Sequence, residues 1–354
     1  MLEASDRVGG RVWSERLANG STVERGAEFV LPGYETMHEL AAPLGLGFRE
    51  KGTLYGDREP RDGPPVTREE LLAAVAELPT AQGSSLALAI DALAATEGAR
   101  AAIASRLAIS TAHELDDQPA AILADGAAGF GAFASHGLVG GNDLLARALA
   151  AKLDVRLGTR VERVAWSDAG VSVDGERADV CVVATPARAV AFDPPLPDWK
   201  QRALVAVRYG EAAKLFLQLE REVEPSATLA VAGRFWMWTE YGSRAVASFA
   251  GTASALERLD VENGPERWAA AIRRLRPDLP FTDADPVLAT WPGGAYSARS
   301  LSSPLDDEAL ARSVGPIAFA GEHTAGDWHG LMEGALRSGL RAAAQCLTGF
   351  GFGA

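Results

Sequence analysis

Residues 1–11 have the sequence MLEASDRVGGR, an apolar start followed by an acidic residue and a Gly-Gly-Arg loop. In a Rossmann-type βαβ unit, an acidic residue ends the second strand and binds the ribose of a dinucleotide, about 20 residues after a Gly-rich turn. Glu3 occupies this position, and Gly10 lets the backbone approach a bulky ligand. Arg7 and Arg11 offer planar donors that suit phosphate. The stretch therefore predicts the second strand of a dinucleotide-binding domain whose first strand, Gly-rich turn and first helix would precede it.

The segment 19–29, NGSTVERGAEF, extends the pattern of residues 1–11. Together the two segments resemble the FAD-binding signature of the flavin-containing amine oxidase family, which includes monoamine, polyamine and L-amino-acid oxidases. The resemblance implies that Glu3 binds the adenosine ribose and that Arg11 lies near the pyrophosphate. It also implies that Arg7 and Gly10 contact FAD, and that Gly26 and Ala27 contact FAD beside the isoalloxazine.

The C-terminal region has a second pattern that resembles this family. Residues 317–322, IAFAGE, are a short apolar run that ends in Gly-Glu, as expected for a buried strand. Residues 332–339, MEGALRSG, open a helix whose free N–H groups and partial positive charge would stabilise negative charge on a reduced flavin. The resemblance to the family's C-terminal flavin motif implies FAD contacts at Gly321, Glu322 and Met332. The predicted packing face of the helix consists of Leu331, Ala335, Ser338 and Ala342.

The middle of the chain contains both strand-like and helix-like segments. Residues 155–186 predict a β-meander that leads into a buried strand, and this stretch resembles the family's second FAD segment, in which the backbone of Val161 would meet the adenine. Residues 66–109 have helical spacing, and Thr67 and Glu70 form a predicted capping box at their start. The other predicted elements are alternating strands in 203–250, a helix in 254–275 and strands in 287–320.

These segments predict an α/β fold with two interleaved domains. A doubly wound, Rossmann-like FAD-binding domain, incomplete at its N-terminus, comprises residues 1–55, 140–195 and 300–354. A substrate-binding domain of β-sheet plus helix comprises residues 56–139 and 196–299. The first strand is normally at the centre of the doubly wound sheet, and its turn binds the pyrophosphate. We therefore expect either a truncated or mis-started form of a longer enzyme, or a second chain that supplies the missing half.

Lys214 is the first candidate for catalysis. It is the only lysine inside an apolar run, AAKLFLQL at 212–219. A buried ammonium is costly unless it is paired or its pKa falls. Strand periodicity alone places Lys214 on a solvent-facing side together with Gln218. The resemblance instead implies the family's strand lysine, which holds a water against flavin N5, and we predict this role.

Two aromatic residues complete the predicted catalytic set. Residues 291–297, WPGGAYS, resemble a family stretch beside the flavin, in which Tyr296 forms one wall of an aromatic cage that steers the amine. Ala295 occupies the position of a cysteine that some members bond to the flavin, so non-covalent FAD is expected. Leu331 replaces the usual aromatic residue of the second wall. Either Trp328 substitutes for it, or the substrate is not a simple aryl-alkyl amine.

Composition argues against several other classes of protein. The chain has 34 Lys and Arg against 47 Asp and Glu, a formal charge of −13, and no basic stripe for a nucleic-acid partner. No membrane span or signal peptide is recognisable, so a cytoplasmic location is expected. Cys181 and Cys346 form neither a metal pattern nor a disulfide framework, and no metal site is predicted. The G-x-G-x-x-A match at 129–134 follows no clear strand and is interpreted as a loop.

The sequence thus predicts an FAD-dependent amine oxidase. By resemblance, a hydride would pass from the carbon next to nitrogen to flavin N5, the imine would hydrolyse, and O₂ would reoxidise the flavin with release of hydrogen peroxide. The expected partners are a small amine and O₂, with either a homodimer or a second chain that supplies the missing βαβ half. Two alternatives remain open. One is a related flavin desaturase or porphyrinogen oxidase that does not need Lys214, and the other is an inactive, flavin-free remnant.

Overall fold

The computed structural model describes residues 1–53, 55–78, 83–124, 130, 133–291 and 294–349, so residues 129, 131 and 132 of the match at 129–134 lie outside the described residues. Most strands are short, and the longest ones lie between residues 212 and 251. The described strands are β1 (Ser14–Arg16), β2 (Thr22–Glu24), β3 (Phe48–Glu50), β4 (Glu59–Arg61), β5 (His136–Leu138), β6 (Arg163–Ser167), β7 (Gly170–Val173), β8 (Glu176–Ala178), β9 (Cys181–Val183), β10 (Ala191–Asp193), β11 (Arg208–Tyr209), β12 (Ala212–Gln218), β13 (Ser226–Ala230), β14 (Phe235–Thr239), β15 (Ala245–Gly251), β16 (Val287–Thr290), β17 (Ser297–Ala298) and β18 (Ile317–Phe319).

The helices vary from one to five turns. Within the described ranges, no helix is long and apolar enough to cross a membrane. The described α-helices are α1 (Glu35–Ala41), α2 (Arg68–Ala76), α3 (Leu86–Asp91), α4 (Glu97–Thr111), α5 (Asp143–Ala150), α6 (Asp198–Ala206), α7 (Ala253–Arg258), α8 (Glu266–Leu275), α9 (Asp307–Ala311) and α10 (Met332–Gly349).

The predicted capping box at the start of α2 is confirmed. The Glu70 N–H donates to the Thr67 hydroxyl, and the Thr67 N–H donates to the Glu70 carboxylate. Ser85 and Thr96 accept a backbone N–H in the same way at the starts of α3 and α4. These caps satisfy donors that have no acceptor inside the helix, which is why the polar residue in front of each helix fixes where it begins.

A six-stranded sheet is the central element of the second half of the chain. Its order is β16-β12-β15-β14-β13-β4, and all neighbours are antiparallel except β13 and β4. Side chains alternate between the two faces of each strand. Leu215 of β12 lies on the face covered by α8, where it shares a core with Trp268. Lys214, Trp236 and Trp238 lie on the opposite face, which we call the inner face.

The parallel strand pairs lie in the other part of the molecule. Strand β9 runs parallel to β18, and β6 runs parallel to β10. Strands β6, β7 and β8 form the predicted antiparallel meander. Strand β18 is fully buried, as predicted. Strand β9 is not fully buried, and its residue Val182 is 46% exposed, since β18 is its only described neighbour. Leu2 forms an isolated parallel bridge with Arg156, so the segment around Glu3 lies beside the residues that precede β6.

Two helical segments differ from the sequence predictions. Helix α1 has no predicted counterpart. Its N–H groups at Thr36 and Met37 donate to the carboxylate of Glu333, which belongs to a distant segment. The single helix predicted for 254–275 is interrupted at Asp260, whose φ of 60° is left-handed, and the segment forms α7 and α8 instead. Local sequence patterns carry neither of these tertiary constraints.

The packing face of α10 is only partly the predicted one. Ser338 and Ala342 are buried, but Ala335 is exposed, so the prediction for Ala335 is wrong. A Cβ on Gly334 would lie 2.0 Å from the carbonyl oxygen of Trp328, so the helix starts against backbone at a glycine. This close approach places the Gly334 side of the helix, and not the Ala335 side, against the rest of the protein. The observed buried stripe is Gly334, Ser338, Ala342 and Cys346.

Candidate active site

A cavity of about 180 Å³, partly open to solvent, lies over the inner face of the sheet. Its wall combines aromatic rings with a few charged and polar side chains, a composition typical of small-molecule sites. The wall is formed by the sheet, by α4 and by the segments around residues 28–34 and 329–332. Its lining includes Glu28, Tyr55, Arg58, Ser110, Gln118, Lys214, Trp236, Trp238, Tyr296, Leu331 and Met332.

Lys214 lies in this wall and is only 4% exposed. The solvent-facing interpretation of its strand is therefore wrong, because the segment 24–28 covers the side of β12 that carries Lys214. The ammonium donates to the carbonyl oxygens of Glu24, at 2.6 Å, and Gly26, at 2.8 Å, and to the carboxylate of Glu28. An ammonium has three hydrogens to donate. Lys214 can therefore hold a water only if it gives up one of these contacts.

Glu28 bridges two buried lysines. Its carboxylate accepts hydrogen bonds from Lys214 and Lys51, and Lys51 also donates to Glu240 at 2.7 Å. Burial alone would raise the pKa of Glu28, but the attraction of Lys214 and Lys51 lowers it below its usual range. Burial would lower the pKa of Lys51, but Glu240 and Glu28 raise it. Burial lowers the pKa of Lys214 despite Glu28. We call Glu28, Lys51, Lys214 and Glu240 the buried charge cluster.

Glu24, next to this cluster, is expected to make stability depend on pH. Burial and the nearby Glu28 raise the pKa of the Glu24 carboxyl from 4.5 to about 7. The folded chain therefore retains a proton that the unfolded chain releases at lower pH. This contribution to stability is fully present below about pH 4.5 and is lost as the pH rises through about 7. Glu24→Gln should reduce the fall in unfolding free energy between about pH 5 and about pH 8 by on the order of 2 kcal/mol.

Urea unfolding of wild type and Glu24→Gln at several pH values measures this difference. The glutamine can still accept from the Asn142 N–H and can donate to the Ser14 hydroxyl, the two groups that contact the carboxylate now. Glu69→Gln, at an exposed position of α2, is the matched control and should leave the pH profile unchanged. Identical pH profiles for Glu24→Gln and wild type would show that Glu24 is ionised in the folded chain at neutral pH.

Glu322 joins the C-terminal loop to the N-terminal loop. It is 6% exposed, forms a salt bridge with Arg11 at 2.7 Å and accepts the backbone N–H groups of Ser297, at 2.9 Å, and Gly330, at 2.7 Å. Burial would raise its pKa, but Arg11, the Ser297 hydroxyl and the Gly330 N–H lower it. Burial lowers the pKa of the neighbouring His323 to about 4, so this imidazole is neutral near pH 7. The structure thus places the predicted residues Arg11 and Glu322 in direct contact.

Helix α10 begins at the cavity. Its first residue, Met332, and the preceding Gly330 and Leu331 line the same space as Lys214. The first N–H groups of a helix have no acceptor inside the helix and carry a partial positive charge. The start of α10 and the Lys214 ammonium are therefore both electropositive elements of the cavity wall. This pair suits a ligand that accumulates negative charge during a reaction.

Tyr296 and Trp328 have different positions relative to the cavity. Tyr296 lines it, and its hydroxyl donates to the carbonyl oxygen of Ser110 at 2.9 Å. Burial raises the pKa of Tyr296, so it remains a neutral phenol. The structure does not bring Trp328 to the cavity. Its ring packs edge-on against Tyr34, with 6.0 Å between centroids, and under the guanidinium of Arg337, which lies 4.3 Å from its centroid.

The predicted FAD residues of the N-terminal loop have different surroundings. The Glu3 carboxylate accepts the N–H of Ser5, which orients the carboxylate after the Leu2 bridge. Arg7 stacks on Trp13 at 4.5 Å and donates to three backbone carbonyl oxygens of its own loop, one of them that of Gly10. The Arg7 side chain therefore shapes the loop. Gly10 is exposed, with a φ of 54° that favours glycine.

Gly26 and Ala27 lie against the same loop. The Ala27 N–H donates to the carbonyl oxygen of Arg11 at 3.0 Å, and a Cβ on Gly26 would lie 2.0 Å from that oxygen, so only glycine fits there. Val161 packs at the edge of the core that contains β18. The Gly321 N–H donates to a hydroxyl of α10. The N-terminal and C-terminal segments that resemble the flavin motifs meet through the salt bridge between Arg11 and Glu322.

Several residues of the cavity wall were not predicted from the sequence. Trp236 and Trp238 stack with their ring centroids 4.1 Å apart. The alternation FWMWT in β14 is a usable signal, because period-two spacing places both tryptophans on one face. Glu28 and Lys51 carry no such local signal, since Lys51 is 23 residues from Glu28 and 189 residues from Glu240.

The profile of a known family matches almost the whole chain. The family is described as flavin containing amine oxidoreductase, and the matched residues are 1–125 and 120–347. Polyamine oxidase 4 of Oryza sativa subsp. japonica is 27% identical over 246 residues, which are 60% of this chain and 50% of the relative. Polyamine oxidase 2 of Arabidopsis thaliana is 29% identical over 247 residues, 59% of this chain and 49% of the relative. The chain spans about half the length of these curated relatives.

Solved structures share the fold. Cyclohexylamine oxidase from Brevibacterium oxydans IH-35A has a TM-score of 0.80 and 19% identity, and the match covers 98% of this chain and 92% of that one. Wild-type putrescine oxidase bound to putrescine has a TM-score of 0.74 and 21% identity over the same shares of the two chains. The doubly wound α/β fold predicted from the sequence is therefore confirmed. The chain belongs to the flavin-containing amine oxidoreductase family.

Proposed function

We propose that this protein oxidises an amine with FAD as cofactor and O₂ as electron acceptor. The observation that carries the proposal is that Lys214, the start of α10 and Tyr296 line one aromatic cavity. The names of the relatives, polyamine oxidase and cyclohexylamine oxidase, support a C–N bond as the bond that is oxidised. Bound FAD would accept a hydride from the carbon next to nitrogen, and its two electrons would reduce O₂ to hydrogen peroxide.

The cavity residues would bind the amine and hold it in position. Tyr296, Trp236 and Trp238 present aromatic rings, which attract a cationic amine and exclude water. The Lys214 ammonium and the start of α10 would stabilise the negative charge that bound flavin gains when it is reduced. The substrate loses a proton from nitrogen as well as the hydride. Water then converts the released imine to a carbonyl compound and ammonia or a smaller amine.

We assign the cofactor to residues 1–55, 140–195 and 300–354, and the substrate to residues 56–139 and 196–299. Glu3 would bind the ribose, and Arg11 would lie at the pyrophosphate. The Ala295 side chain has no nucleophilic group that could bond to the flavin, which supports non-covalent FAD. The cysteines Cys181 and Cys346 are both free thiols, which supports the reducing cytoplasm as location.

The visible absorption spectrum of the chain, purified with FAD and then desalted, tests the proposal. We expect an oxidised-flavin spectrum that survives desalting and bleaches when an amine is added without oxygen. Peroxide should appear when oxygen is readmitted. A folded chain that stays colourless would overturn the proposal for this polypeptide and favour the flavin-free alternative.

A further inference from the structure

Besides the indole N–H of Trp238, three buried donor groups in the cavity wall have no hydrogen-bond partner in the described part of the chain. They are Nη1 of Arg58, Nε2 of Gln118 and the hydroxyl of Ser110, and none of them bonds to another atom in the described part of the chain. Arg58 is 4% exposed and Gln118 is 1% exposed. Buried donors in folded proteins nearly always have a hydrogen-bond partner, so each donor without one needs an explanation. Three such donors around one cavity indicate that the ligand supplies the hydrogen-bond acceptor.

The charge of Arg58 indicates what kind of acceptor is missing. Two other cations of the cavity wall have acidic partners, since Lys214 pairs with Glu28 and Arg299 pairs with Asp307 at 2.9 Å. Within the described residues, Arg58 forms no salt bridge. A buried guanidinium without a counter-ion is costly, and its best partner is a carboxylate, which two parallel N–H groups can bind at once.

The guanidinium of Arg58 is held rigidly. It lies 3.8 Å from the ring centroid of Trp236 and 4.9 Å from that of Tyr55, and its Nε donates to the Tyr55 carbonyl oxygen at 3.2 Å. Stacking fixes the plane of the guanidinium and leaves its edge free for an anion. Arg106 adds a second positive charge nearby, because its guanidinium lies 5.8 Å from the same Tyr55 ring.

We propose that the amine oxidised at this site also carries a carboxylate, and that Arg58, assisted by Gln118 and Ser110, binds that carboxylate. The inference rests on the proposed function and specifies its substrate class as amino-carboxylates. Arg58 and Lys214 lie against neighbouring rings of the stacked Trp236–Trp238 pair, at 3.8 Å and 5.6 Å. One small molecule along this aromatic wall can therefore reach both ends. The same positive charge disfavours the second ammonium of a diamine.

Calorimetric titration of the FAD-loaded chain with matched ligand pairs tests this substrate class. The pairs are γ-aminobutyrate against putrescine and L-phenylalanine against phenethylamine, which differ in the carboxylate. The carboxylate-bearing member of at least one pair should bind about 10- to 100-fold more tightly, the range expected for a hydrogen bond to a charged group. Arg58→Met should remove this preference, Arg58→Lys should restore part of it, and Arg68→Met, at an exposed position of α2, should leave it unchanged.

Each outcome separates the substrate class from the proposed function. If amines bleach the flavin but carboxylates gain no affinity in either pair, the inference is overturned and amine oxidation stands. If the chain binds no FAD, quenching of the tryptophan fluorescence by the same ligands still measures the carboxylate preference. If Arg58→Met does not fold, the wild-type pairs and Arg58→Lys decide. A preference that survives in Arg58→Lys and Arg58→Met alike would also overturn the assignment to Arg58.

Discussion

Replacing Lys214 with Met is expected to slow flavin reduction by an amine about 100- to 1000-fold, the loss typical when one preorganised charged donor is removed from an active site. The ammonium is buried in the cavity wall, where low polarity strengthens its field. Methionine has a similar length but no charge, so the space remains filled. Anaerobic stopped-flow absorbance of the flavin measures the rate directly, and the flavin spectrum before mixing shows that FAD is still bound.

Lys200→Met is the matched control for this measurement. Lys200 is also fully buried and donates to three carbonyl oxygens around the end of α9, but it does not line the cavity. Its loss should lower stability and leave the reduction rate per bound flavin unchanged. Lys152→Met, at an exposed position, should change neither. Unchanged reduction in Lys214→Met would contradict the amine oxidase proposal and favour the related desaturase or porphyrinogen oxidase.

Replacing Glu28 with Ala is expected to lower the free energy of unfolding by about 3–5 kcal/mol, because it leaves the buried Lys214 ammonium without its counter-ion. The Glu28 side chain is 9% exposed and pairs with Lys51 and Lys214, whose side chains are 2% and 5% exposed. Urea unfolding monitored by tryptophan fluorescence measures the change. Glu59→Ala breaks an ion pair in which Glu59 is 62% exposed, and it should cost less than about 1 kcal/mol.

A double variant tests the physical cause of this loss. Glu28→Leu together with Lys214→Met replaces one buried ion pair by apolar side chains and leaves Lys51 paired with Glu240. We expect the double variant to be more stable than Glu28→Leu alone, since no ammonium of the pair remains uncompensated. Equal destabilisation in the single and double variants would mean that lost packing, not unpaired charge, explains the effect of Glu28.

Segments with strong local patterns were predictable. The capping box at Thr67 and Glu70, the meander of β6 to β8 and the buried strand β18 each depend on residues close together in sequence. The two stretches with flavin-motif resemblance identified the family, and the family profile confirms this assignment. Hydrophobic periodicity and turn chemistry act over a few residues, so a single sequence reveals them.

The environment of Lys214 was not decided by its own strand. Periodicity places this residue on a polar side, and only the covering segment 24–28 makes that side an interior. The same holds for Trp328, which sequence position places in the aromatic cage and which packs against Tyr34 instead. Sequence spacing gives the order of the loop residues but not the direction in which each side chain leaves the loop.

The sequence alone determined the family, the doubly wound α/β fold and Lys214 as the candidate for catalysis. Only the tertiary structure decided which groups neutralise one another. Helix α1 depends on the carboxylate of Glu333, about 300 residues away, and Glu28 is held by lysines 23 and 186 residues distant. The tertiary structure also revealed that Arg58 has no acidic partner in the described part of the chain. Pairing energies depend on distance in space and on burial, and neither quantity is encoded in local sequence spacing.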